Sequence, residues 1–205
     1  MGEALPEVDL GTSDSGTART AKKICVGHHH VCAILDSDIL RCFGGHEYGQ
    51  LGLDISIGQD EYTAGDVGIG TVKDVACAYY STCAITANDE VKCWGSGEYG
   101  VRGSGDAASS GKGTVADGQP NTPDLPAVDL DGTATQINCG GHNCCAVLSD
   151  GTAKCWGSNN HGQLGLGDTS APNDQIGDEA NEMGSNLAPM DFGDGRTVAQ
   201  IEAAD

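Results

Sequence analysis

Apolar and polar positions along this chain fall into one short pattern that occurs three times. It reads Cys32-Ala-Ile-Leu-Asp-Ser-Asp-Ile-Leu-Arg-Cys42-Phe-Gly44, then Cys83-Ala-Ile-Thr-Ala-Asn-Asp-Glu-Val-Lys-Cys93-Trp-Gly95, then Cys145-Ala-Val-Leu-Ser-Asp-Gly-Thr-Ala-Lys-Cys155-Trp-Gly157. Apolar and β-branched residues flank turn formers in each block, which predicts a β-hairpin. The strand Cys-Ala-Ile/Val-Leu/Thr does not alternate apolar with polar, as expected of a sheet buried on both faces. Cysteine spacing selects the loop. A two-residue turn at Asp150-Gly151 leaves Cys145 and Cys155 out of step by one, whereas a three-residue loop, Ser149 to Gly151, opposes them directly. Glycine then takes the left-handed position. Directly opposed cysteines lie about 4.5 to 5.5 Å apart, within bonding reach. The expected disulfides are Cys32–Cys42, Cys83–Cys93 and Cys145–Cys155. Arg41, Lys92 and Lys154 recur one residue before the second cysteine, where their stems should cover the opposing alanine and their heads reach water.

The blocks start 51 and then 62 residues apart, and each is followed by a glycine-rich tail: Gly49-Gln-Leu-Gly52, Gly100-Val-Arg-Gly103 and Gly162-Gln-Leu-Gly165. Periods near 50 mark propellers and related arrays. Leu5-Pro-Glu-Val-Asp-Leu leads into the first block as Leu125-Pro-Ala-Val-Asp-Leu leads into the third. Val198-Ala-Gln-Ile-Glu-Ala matches Ala134-Thr-Gln-Ile-Asn-Cys, the approach to the third block. The division expected is a first repeat over 1–68, a second over 69–126, a third over 127–189 and the start of an unfinished fourth over 190–205. The chain therefore reads as part of something longer. Its N-terminus has no basic region and no apolar stretch, so no signal peptide is expected in this segment.

Cys139-Gly-Gly-His, the hairpin, Cys155-Trp-Gly-Ser-Asn and Gly162-Gln-Leu-Gly-Leu-Gly-Asp168 together resemble the repeats of the regulator of chromosome condensation family. The resemblance covers nearly the whole chain and implies an all-β fold, an incomplete β-propeller built from hairpin repeats. Such propellers have seven blades in this family. Its members include a nucleotide exchange factor for a small nuclear GTPase and inhibitors that bind secreted β-lactamases. The paired cysteines resemble a disulfide-bearing branch. The second repeat departs most, with Tyr79-Tyr80-Ser81 in its approach and Val101-Arg102 in place of Gln-Leu, and is a place for an irregular blade or a contact. Three and a half blades cannot close a ring, so open strand edges should need further repeats of the parent chain or self-association.

Composition narrows function. Ten basic against 30 acidic side chains give −20, the wrong sign for a nucleic-acid backbone. The longest apolar runs are far short of the roughly 20 residues of a membrane span, so no membrane insertion is expected. Ten cysteines in 205 residues lean towards an oxidising, extracellular or cell-surface setting.

No catalytic, cofactor or metal site is expected. Cysteines nine residues apart suit a hairpin staple, and no Cys-x-x-Cys occurs. Cys144 and Cys145 are adjacent and should face opposite ways. Cys25, Cys77, Cys139 and Cys144 have no partner that the sequence assigns, and are expected as free, buried thiols. His28-His29-His30 cannot converge on one ion from an extended chain. Gly105 to Gly113 imitates a phosphate-binding loop but has one residue too many between its glycines and Gly113 where Ser or Thr should stand. Asp174, Asp178, Glu179 and Glu182 lack the ordered pattern of a calcium loop and are expected to form a solvated acidic loop. No hydrolase or metalloprotease motif and no Asn-linked glycosylation site stand out. The function expected is a non-enzymatic binding scaffold for a protein or surface glycan. Contacts should come from the loops Asp54 to Gly70, Gly103 to Pro126 and Asp168 to Pro189. The alternative, implied by the resemblance, is a regulator or guanine-nucleotide exchange factor for a small GTPase.

Overall fold

The computed structural model describes residues 8–13, 15–53, 63–105, 125–169 and 174–203. Ten strands follow in chain order: β1 Ala21–Val26, β2 His30–Leu35, β3 Ile39–Gly44, β4 Thr63–Cys77, β5 Ser81–Thr86, β6 Val91–Gly95, β7 Ala134–Cys139, β8 Asn143–Leu148, β9 Ala153–Ser158 and β10 Gln175–Ile176. All pairings are antiparallel, in the orders β1-β2-β3-β4-β5-β6 and β10-β9-β8-β7. The long β4 serves two blades. Up to Thr71 it pairs with β3, and from Val72 it pairs with β5. The last strand of one blade thus becomes the first strand of the next, the connection that makes a propeller from hairpins.

Each hairpin closes through three residues: Asp36 to Asp38, Ala87 to Asp89 and Ser149 to Gly151. The third residue is left-handed in each, at φ 63°, 66° and 84°. Aspartate tolerates that conformation better than most residues, and here it is also anchored: Lys22 pairs with Asp38 at 2.7 Å and Lys73 with Asp89 at 2.6 Å. Gly151 has a different neighbour. Val198 donates its N–H to the Gly151 carbonyl at 2.8 Å, and a Cβ at 151 would lie 2.7 Å from Thr197.

The cysteines oppose one another as Cys32↔Cys42, Cys83↔Cys93 and Cys145↔Cys155, and each pair is bonded in the structure. The four cysteines expected to be free are bonded too. Cys139 lies directly opposite Cys144 in the β7–β8 ladder and joins it. Cys25 of β1 joins Cys77 of β4, with Cα atoms 5.4 Å apart. That second pair links two blades, a contact invisible to a reading confined to one repeat. Cys144 and Cys145 bond to different neighbouring strands, β7 and β9.

The core is the pair of seams between blades. Cys32, Ile34, Leu40, Leu51, Val75, Ala84 and Trp94 belong to one cluster, while Cys83, Ile85, Val101, Ile137, Ala146 and Trp156 belong to the other. Neighbouring residues of β5 therefore divide: Ala84 faces the first seam, and Cys83 and Ile85 face the second. This is why the strand pattern shows no alternation. Trp156 donates its indole N–H to the Val101 carbonyl at 2.9 Å, and Trp94 donates to the Gln50 carbonyl at 3.0 Å. Each acceptor sits in the glycine-rich tail of the preceding blade. Asp74, 8% exposed, ties the first strands together, pairing with Lys23 and accepting the Ile137 N–H at 3.0 Å. At the position where Val75 and Ile137 are buried, β1 presents Ile24 at 61% exposure, with Val26 beside it at 65%.

His30 is buried in the first seam, its Nε2 2.8 Å from the Thr82 hydroxyl. Burial, reinforced by nearby His29, lowers its pKa from 6.5 to about 4 against a weaker opposing hydrogen bond to Ser81. The native imidazole is neutral, and the unfolded one takes a proton first as pH falls. Stability is therefore full above about pH 6.5 and is lost towards pH 4, by roughly 3 kcal/mol. Denaturant titrations between pH 7 and 4 should show this slope, and His30→Gln should flatten it. Trp156→Phe keeps a ring in the seam and removes its donor, with an expected loss of about 1 kcal/mol in the same assay. Alkylation of the denatured, unreduced chain should find no free thiol, and mapping should link Cys25 with Cys77 and Cys139 with Cys144.

Candidate functional site

The two ends of the blades differ chemically. The hairpin loops put Asp36, Asp38, Asp89, Glu90 and Asp150 at one end. The opposite end collects the turns that enter β2, β5 and β8 and the tails that leave β3, β6 and β9. There the aromatic residues gather. Four of the chain's five tyrosines are at this end, and the fifth, Tyr62, is outside the described residues.

The rings form a continuous band across both seams. Tyr48 lies against Tyr80 with ring centroids 4.6 Å apart, and Tyr99 lies against His142 at the same separation. These are equivalent pairs: a tail residue of one blade meets a turn residue of the next. His28 and His29 stack at 4.1 Å and meet Tyr80 at 5.4 and 6.0 Å. Tyr79 bridges the seams, 5.3 Å from His28 and 5.0 Å from His142. Such contacts contribute roughly 0.5 to 1.5 kcal/mol each beyond buried area, yet none of these rings is fully buried. Tyr99 is 40% exposed and holds a left-handed backbone, φ 60° and ψ 21°. Beside it opens a cleft of about 460 Å³, lined by Tyr79, Tyr99 and His142 together with amide and hydroxyl side chains.

The glycine after each aromatic of β3, β6 and β9 makes this end possible. A Cβ on Gly44, Gly95 or Gly157 would lie 2.4 Å from the carbonyl oxygen of His29, Tyr80 or His142. Those three residues occupy the same turn position and carry rings of the band.

Other expected sites resolve differently. His28 and His29 stack on the surface while His30 points inward, so the three imidazoles do not converge. Among the described residues, the two groups with ligand atoms within 4.8 Å are Cys25, Cys32, Cys77 and Cys83, Cys139, Cys144, all engaged in disulfides. The phosphate-loop mimic lies outside the described residues beyond Gly105, as do 54–62, 106–124 and 170–173 of the expected contact loops.

Two expectations are corrected. Arg41, Lys92 and Lys154 do lie opposite Ala33, Ala84 and Ala146, but their heads are not in water. Lys154 is 7% exposed and donates to the Gly184 carbonyl at 2.8 Å, and the Lys92 side chain is 13% exposed, near Glu90. Arg41 and Arg19 both bond Asp66 at 2.7 Å. Burial pushes the Asp66 carboxyl up, but the two guanidiniums outweigh it and hold the group below its usual range. For Arg41 and Lys154 the partners, Asp66 and Gly184, lie outside the hairpin, which the block alone does not reveal. The acidic loop is likewise structured. Glu182 accepts the backbone N–H groups of Gly177, Asp178 and Glu179 at 2.8 to 3.1 Å. Asp178 is 5% exposed. Its pKa is raised by burial and then by the charge of Glu182. Part of the Asp168 to Pro189 loop is β10, which completes the third blade against β9.

The aromatic band could have been found by aligning the repeats. Tyr48, Tyr99 and His161 share one column, and His29, Tyr80 and His142 share another. Reading the histidines as ligands and the tyrosines as an irregularity hid those columns.

Comparison with known proteins agrees with the blade geometry. Residues 72–101 and 134–163 match the Regulator of chromosome condensation (RCC1) repeat. The Ultraviolet-B receptor UVR8 of Arabidopsis thaliana is 34% identical over 162 residues, covering 77% of this chain and 34% of the receptor. The human E3 ubiquitin-protein ligase HERC2 is 30% identical over 168 residues, which are 79% of this chain and 3% of the ligase. The chain thus spans about a third or less of these relatives' lengths. Among solved structures, human WBSCR16 superposes with a TM-score of 0.68 at 20% identity, over 93% of this chain and 44% of that one. Yeast RCC1 (Prp20), solved bound to Kap60, gives 0.61 at 15% identity, over 82% and 38%. With its register of hairpins, seam tryptophans and tail glycines, this chain belongs to the regulator of chromosome condensation repeat family and folds as blades of its β-propeller.

Proposed function

We propose that the protein is a non-enzymatic binding scaffold that engages a protein or glycan partner through the aromatic end of its blades, with the inter-repeat loops alongside. The observation that carries this reading is the band of half-exposed rings, held on rigid strand ends and spanning both seams. Aromatic side chains present large contact area at low entropic cost, and loops on a rigid frame commonly carry recognition. Five disulfides fit an oxidising compartment, and an extracellular or cell-surface setting is the version we favour. Exposed Ile24 and Val26 support association with further blades or with another copy.

Relatives supply partners only for themselves: yeast RCC1 was crystallised with Kap60, and Prp20p of Saccharomyces cerevisiae has binding properties to Gsp1p and histones. The exchange-factor alternative rests on the resemblance of the repeats alone.

Probing protein and glycan arrays with the chain tests the proposal. A retained partner should be weakened about tenfold or more, roughly 1.4 kcal/mol, by Tyr48→Ala combined with Tyr80→Ala, with an unchanged far-ultraviolet spectrum. Retention at full strength by that variant would reject the aromatic end as the binding face. Accelerated nucleotide release from a small GTPase would replace the reading with the exchange-factor one.

A further inference from the structure

The cleft between the second and third blades has a chemistry more specific than a general contact surface. Its walls are the rings of Tyr79, Tyr99 and His142. Its polar lining is neutral: Asn143, Ser158, Asn160 and Gln163, with His161 at the rim and no Lys, Arg, Asp or Glu among the described lining residues. Gln163 is already oriented, accepting the His161 N–H at 2.9 Å and donating to the Ser158 hydroxyl at 3.3 Å.

Tyr99 supplies an independent observation. It alone among the described aromatic residues holds a positive φ, while its counterparts Tyr48 and His161 do not. A left-handed backbone at a bulky residue is unfavourable, and glycine would relieve it. Unfavourable conformations of this kind cluster where a ligand is held. Here the strained backbone keeps a half-exposed ring at the mouth of the cleft.

Resting on the scaffold reading above, we infer that this cleft is a subsite for the end of a neutral saccharide. The apolar C–H face of a sugar ring stacks on aromatic walls, and its hydroxyl groups pair with planar amides and hydroxyls that both donate and accept. A cationic peptide would call for carboxylates in the lining, and none is there. Sialylated or sulfated glycans would meet a chain of net charge −20 without a compensating cation. A volume of about 460 Å³ suits a short glycan terminus better than the side of a folded domain.

The test uses the full 205-residue chain on an array of neutral hexose- and N-acetylhexosamine-terminated glycans, with sialylated, sulfated and protein spots as controls. Hits are followed by titration with the corresponding methyl glycosides. Wild type and Tyr99→Phe should bind neutral glycans alike. Tyr99→Gly should lose about tenfold or more in affinity with only a small change in melting, because relief of the left-handed backbone offsets the lost Tyr99–His142 contact. Exposed His161→Ala provides a second variant whose folding is not in question, and it too should weaken binding. Silence on neutral glycans, binding confined to anionic glycans or proteins, or unchanged affinity in both Tyr99→Gly and His161→Ala would overturn the inference. A protein partner that is lost with the Tyr48 and Tyr80 substitutions but kept in Tyr99→Gly would leave the wider scaffold reading standing and remove only the saccharide.

Discussion

The indole N–H groups of Trp94 and Trp156 reach into the backbone of the preceding blade, and most of the molecule is arranged around that contact. A blade is one sheet thick and cannot bury either face alone, so stability comes from seams between neighbours. Each seam needs a large side chain that crosses it and a polar handle that ends on a partner. Tryptophan meets both needs, and the glycine that follows lets the adjacent turn close over it. Phe43 has the same position in the first blade but no donor. Asp74 plays the matching role nearer the first strands, serving three blades with one carboxylate.

Placing the core at the seams also places the surface features there. Tail residues that accept the indole are followed or preceded by the rings that meet the next blade's turn. The aromatic band is therefore not an ornament on finished blades but the rim of the packing that holds them. Its rings can be half-exposed and still well positioned, because the backbone beneath them is fixed by Gly44, Gly95 and Gly157. The strained exception, Tyr99, precedes left-handed Gly100, at which a Cβ would collide with Ile176 and Asp178 of the next blade.

Much of this was legible before any coordinates. Cysteine spacing implied directly opposed strand positions and three-residue loops, and the absence of alternation implied sheets covered on both sides. Those inferences hold because they depend on contacts within one hairpin or on a periodic average. What escaped depends on contacts between repeats. Cys25 and Cys77 lie 52 residues apart on separate blades, and nothing within either repeat makes them neighbours. Arg41 and Lys154 read as surface residues because their partners, Asp66 and Gly184, lie outside the hairpins. The acidic loop read as solvated because Glu182 looks like any exposed glutamate until the three N–H groups that surround it are in place.

The Cys25–Cys77 bridge makes the two seams mechanically unequal. It closes residues 25 to 77 into a loop that cannot lengthen under tension, while no disulfide crosses from the second blade to the third. A load applied along the chain therefore bypasses the segment between those two cysteines and falls on the second and third blades. The second and third blades can part without breaking a covalent bond, whereas the first strand of the first blade stays tied to the second whatever the load.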